Sequence, residues 1–167
     1  MQSTFTYRQG TMTEVDRLKE LGIISYNQFS EILTKENWAT LNKFLNNADT
    51  WIQLVNKAHC FICEDNEEII GMAFLMHSGN PTNIYQADWS YIRMVGVNPK
   101  YRGKGIARRL TIMCIDLARD SNEKVIALHT SEFMDAARHI YENLGFIKVR
   151  EIDPIYGKKY WLYKLDV

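Results

Sequence analysis

A run that reads as a buried strand passes through a proline into a two-glycine turn and then directly into an amphipathic helix. This stretch, Tyr91 to Leu110, constrains the chain more than any other. Its apolar first part is stopped by Pro99, as a buried strand is stopped. Its last part begins a helix whose Ile106, Leu110, Cys114 and Leu117 recur on one face. Between them Gly103 and Gly105 flank Lys104, with Arg102 just ahead. A strand that enters a helix through such a turn presents unpaired backbone N–H groups and the positive end of the helix dipole. Anionic oxygens bind well there. The glycines let the backbone approach a phosphate with no side chain in the way.

Two familiar phosphate motifs are excluded by spelling. Four residues between a Gly and Gly-Lys-Ser/Thr, which a Walker loop needs, occur nowhere here. A dinucleotide fingerprint would need Gly at position 108, which is Arg108. The spelling that fits is Arg102-Gly103-Lys104-Gly105-Ile106-Ala107, preceded by Val97-Asn98-Pro99. It resembles the pyrophosphate loop of the GNAT superfamily of acyl-CoA N-acyltransferases. The resemblance implies acetyl-CoA as cosubstrate, with contacts from Val95, Gly96, Val97, Arg102, Gly103, Lys104, Gly105, Ile106, Ala107 and Arg108.

The rest of the chain can be read against that order. With 167 residues the length suits one domain, 1–167, with one sizeable core. Thr4 to Arg8 suits an opening strand, and Thr11 or Thr13 can cap a helix that Gly22 would stop. From Ile23 to Asn56 the pattern is helical with breaks, and this segment is expected to shape an acceptor pocket. Ala58–Glu64 and Glu68–His77 form a hairpin signal around Asp65-Asn66-Glu67. Asp88–Val97, Val125–Thr130, Phe146–Ile152 and Lys159–Asp166 read as strands, the last two meeting around Asp153-Pro154. Phe133–Leu144 reads as a helix ended by Gly145. Hairpins imply antiparallel pairs, and the strand–helix–strand crossover implies a parallel one. The fold class is α/β (α+β): a mixed, largely antiparallel central sheet with helices on both faces. The resemblance adds that the parallel pair is splayed, so that a pantetheine arm can enter like an added strand.

A second segment, Ala137-Arg138-His139-Ile140-Tyr141-Glu142-Asn143-Leu144-Gly145-Phe146, resembles the helix end that follows in the same family. Ala137 and Tyr141 lie four apart, hence on one helix face, where the small residue leaves room for pantetheine. The resemblance implies that Tyr141 stands near the thioester sulfur as general acid, protonating the departing thiolate. Departures from the family pattern fall on the base and on one contact. Tyr91 occupies the position of a frequent Glu, leaving Asp88 as the nearest carboxylate and candidate base. His129 and Glu132 lie about the end of the next strand, and Met134 stands where an Asn is frequent.

Composition narrows the partners. Lys plus Arg equals Asp plus Glu at 20 each, which disfavours a nucleic-acid or membrane-surface binder. Cys60 and Cys63 lie three apart in a strand and so point to opposite faces. They and Cys114 read as core rather than as a redox pair or metal site. Trp38, Trp51, Trp89 and Tyr156 line an acceptor cleft or fill the core. The expectation is a cytoplasmic acetyl-CoA-dependent N-acetyltransferase without a metal. Direct attack in a ternary complex would acetylate a small primary amine. The alternatives are acetylation of a protein N-terminus or lysine, and a non-catalytic CoA-sensing or partner-binding module. A homodimer is left open.

Overall fold

A computed structural model describes residues 4–167. β1 (Thr6–Gln9) leads through a 3-10 turn, Met12–Glu14, into α1 (Val15–Tyr26). A second 3-10 turn, Asn27–Glu31, separates α1 from α2 (Lys35–Asn46) and α3 (Ala48–Lys57). Thr34 caps α2 by accepting the Asn37 N–H, and Asn47 caps α3 by accepting the Asp49 N–H. Then come β2 (His59–Asp65), β3 (Glu68–Met76), β4 (Ser90–Val97), α4 (Ile106–Asp120), β5 (Val125–Ser131), α5 (Asp135–Asn143), β6 (Ile147–Ile155) and β7 (Lys158–Asp166). The strands form one sheet in the order β1-β2-β3-β4-β5-β7-β6, antiparallel except for β4 beside β5. The expected mixed sheet is present.

Alternation along the strands divides the interior by face. On one face Ile70, Leu75, Ile92 and Leu128 pack under α4 and α5. Leu110 and Cys114 of α4 are fully buried there. Each fully buried Leu or Ile contributes about 1.5–3 kcal/mol. On the other face Ile62, Met72 and Phe74 pack beneath Leu18, Leu45 and Trp51 of the first three helices. Toward the β6–β7 side that face continues as a second cluster around Tyr85, Tyr91, Tyr160 and Leu162. Cys60 and Cys63 join opposite clusters, as their spacing requires.

Two expectations are corrected. Gly22 does not stop α1; it lies inside the helix. A Cβ there would stand 2.4 Å from the Trp51 ring, so this glycine serves close packing against α3. Nor do the last strands turn at Asp153-Pro154. Both residues lie within β6, where the register shifts between Ile152 and Ile155. β6 is an edge strand, where proline leaves no ladder partner unpaired. The turn falls at Tyr156-Gly157, both with positive φ. The Asn66-Glu67 turn of the first hairpin has the same signature, φ 49° and 68°.

Candidate active site

The turn after β4 is built as its spelling requires. Asn98 caps a short 3-10 turn, Pro99–Tyr101, by accepting the Lys100 N–H at 3.0 Å. Gly103 and Gly105 then take φ of 77° and 78°, and Gly105 is the N-cap of α4. No atom lies within 4 Å of a Cβ built on either glycine. Left-handed backbone is needed at both, and the space in front of them is open. Gly105 offers α4 no side-chain cap, so the first N–H groups of the helix point into that space.

The basic residues around this turn divide. Arg102 turns back to α1, donating to the Ser25 carbonyl at 3.0 Å and the Gln28 side chain at 2.9 Å. Arg109 stacks over Tyr7 at 5.8 Å. Lys104 and Arg108 are exposed and form no ion pair among the described residues. The side chain of Arg102 therefore anchors the turn, and Lys104 and Arg108 are the cations free for an anion.

Beside the turn, β4 and β5 part company. Their parallel pairing covers only Ser90↔Ile126 and Tyr91↔Ala127. The closed end is pinned by the Ser90 hydroxyl, which donates to the Val125 carbonyl at 2.7 Å. Beyond Tyr91 the partner of β4 is β3 alone. There the ladder runs Phe74↔Arg93 and then Met72↔Gly96, so β4 holds one extra residue. Met94 takes φ 54° at this bulge, a conformation costing about 1–3 kcal/mol for a non-glycine residue. Gly96 faces Met72, and the Asn98 N–H donates to the Ile70 carbonyl at 2.8 Å. By antiparallel alternation Val95 and Val97 turn their N–H and C=O groups the other way, into the gap left by β5. The Val95 carbonyl receives the Tyr26 hydroxyl at 3.2 Å and keeps a second lone pair.

Tyr141 and Ala137 share the α5 face that packs into the cluster under α4 and α5. Tyr141 meets Phe146 edge-on and is 7 % exposed. Its hydroxyl has no hydrogen-bond partner among the described residues, yet it is not sealed from solvent. Burial, with lesser help from Tyr26 and Cys114, pushes its phenol well above the ordinary 10.0. It is therefore a protonated donor across the neutral range. Burial pushes the Cys114 thiol of the same cluster upward too. A thiolate released in such surroundings would likewise hold a proton more tightly than in water.

The opposite face of the gap carries Arg93 and Tyr85, which the sequence did not single out, beside Tyr91 and His129, which it did. Arg93 projects on the same face as its partner Phe74. Tyr91 is paired with Ala127, so two residues further on Arg93 and His129 face each other across the opening. His129 shares a 2.5 Å hydrogen bond with Tyr85, which stacks on Tyr91 with centroids 4.0 Å apart. Burial first, and the Arg93 charge second, bring His129 down to about 4, so it is neutral at pH 7. The one signal in the chain was Arg93 itself, a charge inside an otherwise apolar strand.

Other candidates lie elsewhere. Asp88 is exposed in the turn before β4, at the closed end of the strand pair, and is not brought together with Tyr141 or the glycine turn. Glu132 is exposed and accepts the Lys159 N–H. Met134 is the N-cap of α5, its sulfur accepting the Thr130 hydroxyl. Trp51 is core, fully buried with its indole N–H donating to the Leu45 carbonyl at 2.9 Å, and Trp89 is buried beside Tyr91. Trp38 and Tyr156 are half-buried against the α1–α3 cluster. Among the described residues no group of His, Cys, Asp and Glu could hold a metal ion, and no helix is long and apolar enough to cross a membrane.

Known proteins are similar to this chain in sequence and in fold. N-alpha-acetyltransferase 30 of Schizosaccharomyces pombe is 30% identical over 99 residues, 58% of this chain and 62% of that protein. An uncharacterized N-acetyltransferase of Methanocaldococcus jannaschii is 26% identical over 145 residues, 86% of this chain and 61% of that one. The chain thus spans about three fifths of the length of these two relatives. In fold it resembles the PaiA N-acetyltransferase of Thermoplasma acidophilum, solved in complex with coenzyme A. The TM-score is 0.80 at 12% identity, over 98% of this chain and 99% of that one. The family model of the Acetyltransferase (GNAT) family matches residues 24–146, which include the bulged strand, the glycine turn and Tyr141. The chain belongs to that family of acetyltransferases.

Proposed function

We propose that the chain moves the acetyl group of acetyl-CoA to a small primary amine by direct attack in a ternary complex. The observation that carries this is the pairing of an open, uncapped helix start with a strand gap beside it. The first N–H groups of α4, with Lys104 and Arg108, would hold the pyrophosphate. Val95 and Val97 would bond the pantetheine amides as a neighbouring strand does, with Ala137 leaving room for the arm. An N–H in the gap would stabilise the oxyanion.

The chemistry then needs two proton movements. As the amine nitrogen bonds to the thioester carbon and the carbon–sulfur bond breaks, Tyr141 would give its proton to the sulfur. The proton lost by the nitrogen would pass to water at the mouth of the gap, and Asp88 could receive it only through such water. None of the three buried cysteines is suited to carry the acyl group, because burial pushes all three thiols up and away from the reactive thiolate.

A second acceptor, a protein N-terminus, is favoured by the relative named N-alpha-acetyltransferase 30. Release of CoA thiol from acetyl-CoA, measured with amines, amino acids and peptides in turn, tests both. Acceptor-dependent release is expected. Tight acetyl-CoA binding with only background hydrolysis across the set would make the chain a CoA-binding module.

A further inference from the structure

We propose that Arg93 binds the carboxylate of the acceptor, and that the acceptor is a free amino acid. This rests on the acetyl-transfer reading and names the substrate class for that same gap. Arg93 stands on the face of the sheet opposite Tyr141, two residues beyond the last β4–β5 pair and across from His129. An amine approaching the thioester from that face would bring its substituents against the guanidinium. The residue is half-buried, and among the described residues it forms no ion pair. No hydrogen bond of its side chain is formed either, whereas Arg8, Arg102 and Arg138 all have partners.

Its neighbours are poor substitutes for a counter-ion. Its charge acts on Tyr26, Tyr85, Tyr91, Tyr156 and His129, and no carboxylate among the described residues is paired with it. His129 is neutral, and the tyrosines are held protonated by burial. A half-buried charge without a partner is destabilising, and a ligand carboxylate would complete it. A planar guanidinium offers two parallel N–H bonds to a carboxylate, a match that neutral amines cannot make. The β6–β7 turn borders the same face. The Tyr156-Gly157 turn closes on Asn37 of α2, where a Cβ on Gly157 would stand 2.6 Å from the Asn37 amide nitrogen.

Matched acceptors test the proposal on the full chain with acetyl-CoA. L-Leucine is compared with isoamylamine, L-phenylalanine with phenethylamine, and both amino acids with tetrapeptide amides that begin with them. Amino acids should exceed the matched amines in kcat/KM by about 10²-fold or more. Arg93→Gln should remove that preference by lowering kcat/KM for the amino acid alone, and Arg93→Lys should restore part of it. Acetyl-CoA affinity, measured by calorimetry, should stay unchanged in both variants. Equal rates for amines, better rates for peptide amides, or equal losses for both acceptor types in Arg93→Gln would overturn the proposal. If no acceptor is turned over, calorimetric titration of the amino acids into the CoA-loaded protein decides. Binding lost in Arg93→Gln supports the proposal, and no binding sinks it. Failure of the parent chain to bind acetyl-CoA would instead overturn the transfer reading, and this assignment with it.

Discussion

The two sides of the β4–β5 gap are made in different ways. At the glycine turn the groups open to a ligand are backbone N–H groups of consecutive residues, oriented by two left-handed glycines and a helix start. On the proposed acceptor side they are side chains gathered from α1, the loop before β4, β4, β5 and the β6–β7 turn: Tyr26, Tyr85, Arg93, His129 and Tyr156. Backbone recognition leaves its trace in the local spelling, because only certain residues permit the conformation. Side-chain recognition assembled from distant segments leaves almost none.

The sharpest way to break this contrast is to put a side chain where only backbone should be. Gly105→Glu forces a Cβ into left-handed backbone and adds an anion in the open space before α4. Acetyl-CoA affinity should fall by about 10³-fold or more while the circular dichroism stays native, since no neighbour is displaced. Unchanged affinity by calorimetry would remove the backbone site altogether. Tyr141→Phe asks the converse question of a side chain. Turnover should fall by about 10²–10⁴-fold with acetyl-CoA affinity retained. Because burial raises the phenol, the parent should show no loss of rate from this group below about pH 10, its ordinary value. Above its raised pKa the proton needed for the sulfur is gone and the rate falls; that high-pH limb should be absent in the Phe variant. Turnover within about threefold of the parent would make Tyr141 a packing residue.

Smaller effects sharpen the comparison. Gly22→Ala pushes a methyl into the Trp51 ring beneath the helices that cover the acceptor side. Unfolding in urea should register about 1–3 kcal/mol of lost stability. Acetyl-CoA affinity should be untouched, because the turn lies on another element. A parent-like midpoint would show that α1 can slide to make room. Arg108→Ala should be mildest, raising the Kd for acetyl-CoA by about threefold to tenfold, since the residue is exposed and its contact is screened by salt. The same ratio at low and high salt would exclude Arg108 from the phosphate.

What was legible in the sequence follows the same physics. The glycine turn, the helices on either side of β5, the first hairpin and the last two strands, though not their turn, were readable from period, caps and spelling. Gly22 was misread because a glycine inside a helix and one ending it look alike until Trp51, 29 positions later, is seen against it. Asp153-Pro154 was misread because whether a proline turns a chain or rides an edge strand depends on what lies beside it. The order of α1 to α3 was visible only in outline, since their contact surface is set by tertiary packing. Arg93 went unremarked for a different reason. Its proposed role rests on its having no partner among the described residues, and a list of residues cannot display an absence in space.

The extra residue at Met94 carries a consequence for how this gene can change. Deleting one codon there would let β4 pair with β3 without interruption, Arg93 opposite Phe74, Val95 opposite Ala73 and Gly96 opposite Met72. Such a chain should keep its sheet and its buried clusters. It would lose the bend that carries β4 away from β5, and with it the space between them. Many side chains at position 94 should be tolerated, but a change of length should not. Activity would then vanish through a deletion that leaves the protein well folded, abundant and invisible to any screen for misfolding.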